Sequence, residues 1–106
     1  MSKKKYLSIL FVENEDITRE TVCEVLSRKF KNVIQASNGK EGLSKFKKNK
    51  PDIVITDINM PVMNGIDMIK QIREFDKNIK IIVLSAHSEA DYFMLHWPGQ
   101  KNIFIY

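Results

Sequence analysis

Short apolar runs alternate with amphipathic stretches along the chain. Leu7 to Val12 reads as a buried strand. Asp16 to Phe30 reads as a helix, with Ile17, Val22, Val25, Leu26 and Phe30 forming an approximate 3.6-residue stripe. Asn32 to Ala36 is a short strand, and Ser37-Asn38-Gly39 is a turn that can cap a helix. Lys40 to Asn49 is that helix, burying Leu43 and Phe46 and stopped by Pro51. Asp52 to Asp57 holds the apolar run Ile53-Val54-Ile55, a third strand. Asn64-Gly65 opens a third helix with Ile66, Met68, Ile69 and Ile72 toward the core. Lys80 to Ser85 is a fourth strand. Ser88 caps a fourth helix running through Tyr92 and Leu95, and Ile103 to Tyr106 is a fifth strand.

Strands written as continuous apolar runs are buried on both faces, which marks a parallel sheet covered by helices. The order strand–helix, four times over and then a last strand, predicts an α/β fold. Its centre is a doubly wound parallel sheet of about five strands, with helices on both faces and right-handed crossovers. In such a sheet the loops at the carboxyl ends of the strands carry the site.

The length of 106 residues fits a single domain over 1–106, and no repeat or linker divides it. The single cysteine, Cys23, excludes an internal disulfide and suits a reducing compartment, so a cytoplasmic protein is expected. Lys3, Lys4 and Lys5 before Tyr6 to Val12 loosely imitate a signal peptide. That apolar run is short, however, and ends in Glu13-Asn14-Glu15-Asp16 without a small-residue cleavage site. No segment approaches the length of a membrane span. The net charge of +4 raises the question of a nucleic-acid partner. Only Phe46 interleaves the run Lys45, Lys47, Lys48, Lys50, and it belongs to a buried helix face. The lysines therefore read as a solvated face, and no direct nucleic-acid or membrane contact is expected. His87 and His96 stand apart, without metal-ligand spacing or a nucleophile–base–orienter set, so both read as surface histidines.

Polar residues end three of the strands: Glu13-Asn14-Glu15 the first, Asp57 the third and Ser85 the fourth. The predicted topology brings these ends to one edge of the sheet. Carboxylate oxygens there suit a hard cation such as Mg²⁺, with waters completing its octahedron. A carboxylate beside such a cation can attack phosphorus, because the metal neutralises charge on the transferring oxygens. Each residue also has a bland reading. Asp16 can be a helix cap, Glu13 and Glu15 suit a helix N-terminus, and Ser85 can simply end a strand. Spacing alone does not separate the two.

The stretch Asp52-Ile-Val-Ile-Thr-Asp57-Ile-Asn59-Met60-Pro61-Val-Met63-Asn-Gly65 closely resembles the phosphoacceptor segment of response regulator receiver domains. Ile9-Leu-Phe-Val12-Glu13-Asn14-Glu15 is similar to that family's first strand and acidic turn. Lys80-Ile-Ile-Val-Leu-Ser85-Ala86-His87 is similar to its fourth strand, and the likeness runs from residue 7 to about residue 92. It implies a flavodoxin-like fold in which Asp57 becomes an aspartyl phosphate. It implies that Glu13, the Asp57 side chain and the backbone carbonyl of Asn59 surround Mg²⁺, with Asn14 where the family usually has a second, metal-contacting acid. Ser85 takes the place of the switch hydroxyl that bonds the phosphoryl group, and Ala86 is the small residue beside it. Pro61 and Gly65 shape the loop, Pro61 by fixing φ and Gly65 by permitting an unusual backbone.

Two departures stand out. Asn14 is uncharged, which predicts weaker Mg²⁺ binding unless Glu15 swings in; Glu15 at the helix start is expected to face solvent. The family's lysine–proline pair after the fifth strand has no counterpart before Tyr106, and Lys101 precedes the apolar run, at the opposite end of the strand. The last helix is expected to be missing and the chain to be atypical from about residue 93, where Trp97-Pro98 interrupts the fourth-helix region. Phe104 is either the family's switch aromatic or a plain core residue. The lost cover is expected to expose apolar surface around the first and fifth strands and to favour a homodimer through the C-terminal region. The leading functional reading is a phosphorylation switch that takes its phosphoryl group from a sensor histidine kinase and acts on a downstream protein. Its only catalysis would be phosphoryl transfer to its own Asp57. The alternative is a phosphorylation-impaired interaction module that binds a kinase or another receiver.

Overall fold

Each apolar run becomes a strand of one parallel sheet. The computed structural model describes residues 5–84, 90, 95 and 100–106. The strands are β1 (Lys5–Val12), β2 (Phe30–Ala36), β3 (Ile53–Asp57), β4 (Lys80–Leu84) and β5 (Ile103–Ile105). The helices among the described residues are α1 (Asp16–Ser27), α2 (Gly39–Asn49) and α3 (Gly65–Phe75). The strand order is β2-β1-β3-β4-β5, all parallel, which is the flavodoxin-like order. Ser88, Tyr92, Trp97 and Pro98, and with them most of the expected fourth helix, lie outside the described residues. No described helix is long and apolar enough to cross a membrane.

Alternation along the strands sorts the core. Leu10, Val12, Val54, Ile81 and Val83 meet Leu43 and Phe46 of α2 and Met68, Ile69 and Ile72 of α3 in one buried cluster, which Leu95 joins. Each such side chain contributes roughly 1.5–3 kcal/mol on burial. The other face carries Ile9 and Phe11, both buried, and α1 packs over β1 and β2 with Cys23 as its buried residue. Burial pushes the Cys23 thiol above its ordinary pKa, against the nearby Arg19 cation.

Caps end the helices as expected for α2 and α3. Asn38 Oδ1 accepts the Glu41 amide at 2.9 Å, and Asn64 Oδ1 accepts the Asp67 amide at 2.9 Å. The first helix departs from the predicted pattern. It ends at Ser27, and Phe30 is drawn into β2 by pairing with Lys5. Its inward face is Arg19, Val22, Cys23 and Leu26, so Ile17 (73% exposed) and Val25 (48% exposed) stand in solvent. Cys23 was not counted in the predicted stripe, which displaced the inward face.

Apolar residues are exposed on both the first and the fifth strand, Tyr6 and Leu7 on β1 and Phe104 on β5. Phe11, Ile55, Ile82 and Phe104 stand in register across four strands. Phe11 is buried beneath the α1 side, Ile55 and Ile82 are half-buried, and Phe104 is 40% exposed. At this register the first strand is covered and exposure grows toward β5, whereas at the start of β1 Tyr6 and Leu7 stand exposed. Phe104 is not a plain core residue.

Arg73 fastens β5 to this frame. Its guanidinium is buried. Nη1 donates to the carbonyl of Ile79 at 2.7 Å and to that of Asp76 at 3.3 Å, Nη2 to the carbonyl of Lys101 at 2.6 Å, and Nε to Gln100 Oε1 at 2.9 Å. Burial lowers its pKa, with Asp76 opposing. Replacing Arg73 by Met strips the partners from these carbonyls. Urea denaturation of Arg73→Met is expected to show a loss of about 3 kcal/mol. Faster amide exchange at Ile81, which donates to the Asn102 carbonyl, accompanies it.

Candidate functional site

Parallel register sets the site. Val12 pairs with Thr56 and Asp57 pairs with Leu84, so Glu13 and Asp57 leave the sheet at one edge, on adjacent strands about 5 Å apart. Ser85, Ala86 and His87 lie outside the described residues, as does His96. Glu13 is half-buried, and its Oε2 accepts the Glu15 amide at 2.9 Å. Asn14 is exposed.

Glu15, not Asp16, caps α1. Its Oε1 accepts the Thr18 amide at 2.8 Å and the Thr18 hydroxyl. That hydroxyl first, and the amide second, hold the Glu15 carboxyl below its ordinary pKa. Glu15 faces solvent at the helix start, as expected, and is engaged there. Asp16 instead pairs with Arg19, whose Nη2 donates to Asp16 Oδ1 at 2.7 Å while Nη1 donates to the Glu13 carbonyl at 2.9 Å. Sequence reasoning missed Arg19, a largely buried cation against the acidic turn. Its signal was the i, i+3 spacing from Asp16.

Asp57 is half-buried at the end of β3. Its Oδ1 accepts the Ile58 amide at 2.7 Å, and Oδ2 accepts no hydrogen bond among the described residues. Thr56, fully buried, satisfies its hydroxyl by donating to the Asp57 carbonyl at 2.8 Å. The following loop is fastened twice. The Gly65 amide donates to the Ile58 carbonyl at 2.8 Å, and the Gly39 amide donates to the Met63 carbonyl at 2.9 Å. A Cβ on Gly65 would stand 2.2 Å from the Asp57 carbonyl oxygen, and one on Gly39 would stand 2.3 Å from that of Met63. Gly65 is thus required by close approach rather than by an unusual φ; the positive φ of the loop, 70°, falls on Val62. Asn59 lies between the fastenings, exposed, with a carbonyl that accepts no hydrogen bond among the described residues.

The donor set fits Mg²⁺. No group of three or more His, Cys, Asp or Glu among the described residues could hold a metal. Mg²⁺ needs only one or two carboxylates and keeps several waters. Glu13 and Asp57 each spend one oxygen on a backbone amide, which orients the carboxylate, and the Asn59 carbonyl would be a third hard donor. A cleft of about 680 Å³ lined by Phe46, Lys47, Pro51, Phe75 and Ile79 lies at the other edge, where β3 and β4 begin. It takes no part in this site.

A family model for the response regulator receiver domain matches residues 9–96. The chemotaxis protein CheY of Thermotoga maritima is 44% identical over 79 residues, which cover 74% of this chain and 66% of that protein. Sporulation initiation phosphotransferase F of Bacillus subtilis is 34% identical, with 78% of this chain and 67% of that protein covered. The chain therefore spans about two thirds of the length of these relatives. A chain from the CheX–CheY–BeF3–Mg²⁺ complex of Borrelia burgdorferi has a TM-score of 0.75 and 30% identity, covering 94% of this chain and 78% of that one.

The Glu15 cap has a pH signature. A carboxylate lowered by folding contributes stability that is present above its ordinary value of 4.5 and lost as pH falls through the lowered one. The stability gap between the parent and Glu15→Gln is therefore expected to be widest near about pH 6 and to close toward about pH 3. Urea midpoints measured across that range test it, and a gap independent of pH would exclude the cap's charge as its source.

Proposed function

The chain belongs to the response regulator receiver domain family, and from that membership we propose a phosphorylation switch that takes a phosphoryl group from a sensor histidine kinase onto Asp57. The observation that carries this reading is the state of Asp57. Its carboxylate is half-buried at a strand end, one oxygen is held by the Ile58 amide, and the other accepts no hydrogen bond among the described residues. Oδ2 attacks the phosphorus of a phosphohistidine or small phosphodonor. The new bond is O–P. The bond from phosphorus to the leaving group breaks, and the leaving group departs with the electron pair and is protonated by solvent. Glu13, Asp57 and the Asn59 carbonyl are the residues that would hold Mg²⁺, with Asn14 beside them. When bound, the cation offsets negative charge on the phosphoryl oxygens. The Ile58 amide keeps the carboxylate in one orientation for attack. Ser85 would then bond the phosphoryl group, and the added charge would shift a loop equilibrium read by a downstream protein in the cytoplasm.

A second reading, an interaction module with impaired phosphorylation, is favoured by two observations. Asn14 brings no charge to the edge where the family has an acid. Lys101 lies before β5, where Arg73 binds its carbonyl, at the edge remote from Asp57. Exposed Ile17 on α1 and Val62 after β3 offer apolar contacts on elements bordering the site in either reading.

Intact mass after treatment with acetyl phosphate and Mg²⁺ separates the two. One added phosphoryl group on the parent, and none on Asp57→Ala, is the expected result. An unmodified parent at high Mg²⁺ leaves the binding module. The contact between copies expected at the C-terminal region belongs to the same proposal, with half-exposed Ile82 and exposed Phe104 as its apolar surface. Light scattering should then show mass rising with concentration and Phe104→Ser reversing it. A monomer throughout removes the dimer.

A further inference from the structure

Three described non-glycine residues have positive φ: Lys50, Val62 and Asn102. Lys50 ends α2, and Asn102 turns into β5. Val62, at φ 70°, differs from both in being β-branched, the residue class least suited to this region. The Met63 amide donates across it to the Pro61 carbonyl at 2.7 Å, closing a three-residue turn that is rare and strained with positive φ at its centre. Burial does not offset the strain, because Val62 is 76% exposed. Its neighbours hold the turn instead. The Met63 carbonyl takes the Gly39 amide, Gly65 takes the Ile58 carbonyl, and the side chains of Met60 and Met63 pack on the core.

We propose that Val62 is a positioning residue for the phosphoacceptor site, whose strain weakens closure of the loop carrying the Asn59 carbonyl and so sets how tightly the site holds Mg²⁺. The proposal rests on the reading of Glu13, Asp57 and Asn59 as the cation's donors. Asn59 lies within the span that the Ile58–Gly65 and Gly39–Met63 hydrogen bonds close. When the second fastening opens, Val62 returns to the extended region that a β-branched residue prefers, so the open loop is favoured by the strain released. A cation that takes the Asn59 carbonyl in its closed position binds only the closed fraction, and its apparent affinity is reduced by that fraction. An asparagine at 62 adopts left-handed φ with less strain and keeps the loop closed.

Amide hydrogen exchange and Mg²⁺ titration, run on the parent, Val62→Asn and Val62→Ile, test this. Val62→Asn should slow exchange of the Gly39 amide about ten-fold, with Ile81 unchanged, and tighten Mg²⁺ binding by up to the same factor. Val62→Ile, still β-branched, should match the parent in both. Unchanged Gly39 exchange in Val62→Asn overturns the strain argument. Slower exchange with unchanged Mg²⁺ affinity overturns the positioning role and leaves the phosphoacceptor reading standing. Absence of Mg²⁺ binding in all three removes the donor assignment itself, and the proposal with it.

Discussion

Parallel pairing through β1, β3 and β4 is the constraint on which the molecule depends. Strands in parallel register leave the sheet in the same direction, so residues at their carboxyl ends become neighbours however far apart they stand in sequence. Val12 beside Thr56 makes Glu13 and Asp57 neighbours across a separation of 44 residues, the same separation that Ser8 and Asp52 show at the opposite end through a side-chain hydrogen bond. The register is held by side chains buried on both faces. A slip of one residue would carry Leu10, Val12, Val54 and Val83 away from α2 and α3. The apolar interior thus specifies the position of the acids, which contribute little to folding.

The loop after Asp57 works by a different principle. It has few buried side chains, and its shape comes from backbone bonds made possible by two missing Cβ atoms. Gly65 lets the start of α3 approach the Asp57 carbonyl, and Gly39 lets the start of α2 reach Met63. Two helix starts therefore converge on one short segment. The residue that absorbs the resulting conformational cost is the exposed Val62, beyond the packed interior.

Much of this was legible in the sequence because burial writes itself as pattern. The runs Ile9 to Val12, Ile53 to Ile55 and Ile81 to Val83 could hardly be anything but covered parallel strands, and the segment from Asp57 to Gly65 carries a spacing that few folds share. What was illegible depended on competition between near-equal local choices. Phe30 suits helix and strand alike, and only pairing with Lys5 decides between them. Glu15 and Asp16 can each cap a helix, and the Thr18 hydroxyl favours the first. The inward face of α1 was misplaced because its buried residue is a cysteine, small and unlike the bulky aliphatic residues that advertise a stripe. The role of Gly65 was anticipated for the wrong reason, since close approach of one backbone to another leaves no mark in a sequence until both partners are known. Ser85, Ala86 and most of the fourth helix lie outside the described residues, and there the resemblance alone speaks for them.

Arg73 carries a consequence for cooperativity. A buried guanidinium solvated by carbonyls, with no carboxylate in salt-bridge reach among the described residues, is comfortable only while every one of those carbonyls is in place. Two of its partners, Gln100 and Lys101, lie just before β5, and the others lie at the end of α3 and the start of β4. Loosening the segment before β5 would leave a cation half-solvated in an apolar setting, a state less favourable than either full closure or full release. Intermediate positions of that segment are thereby depopulated. A three-residue edge strand with few contacts of its own would ordinarily fray one hydrogen bond at a time. Tied to Arg73, it engages or leaves as a unit, so the sheet's last strand inherits the all-or-none character of a much larger element.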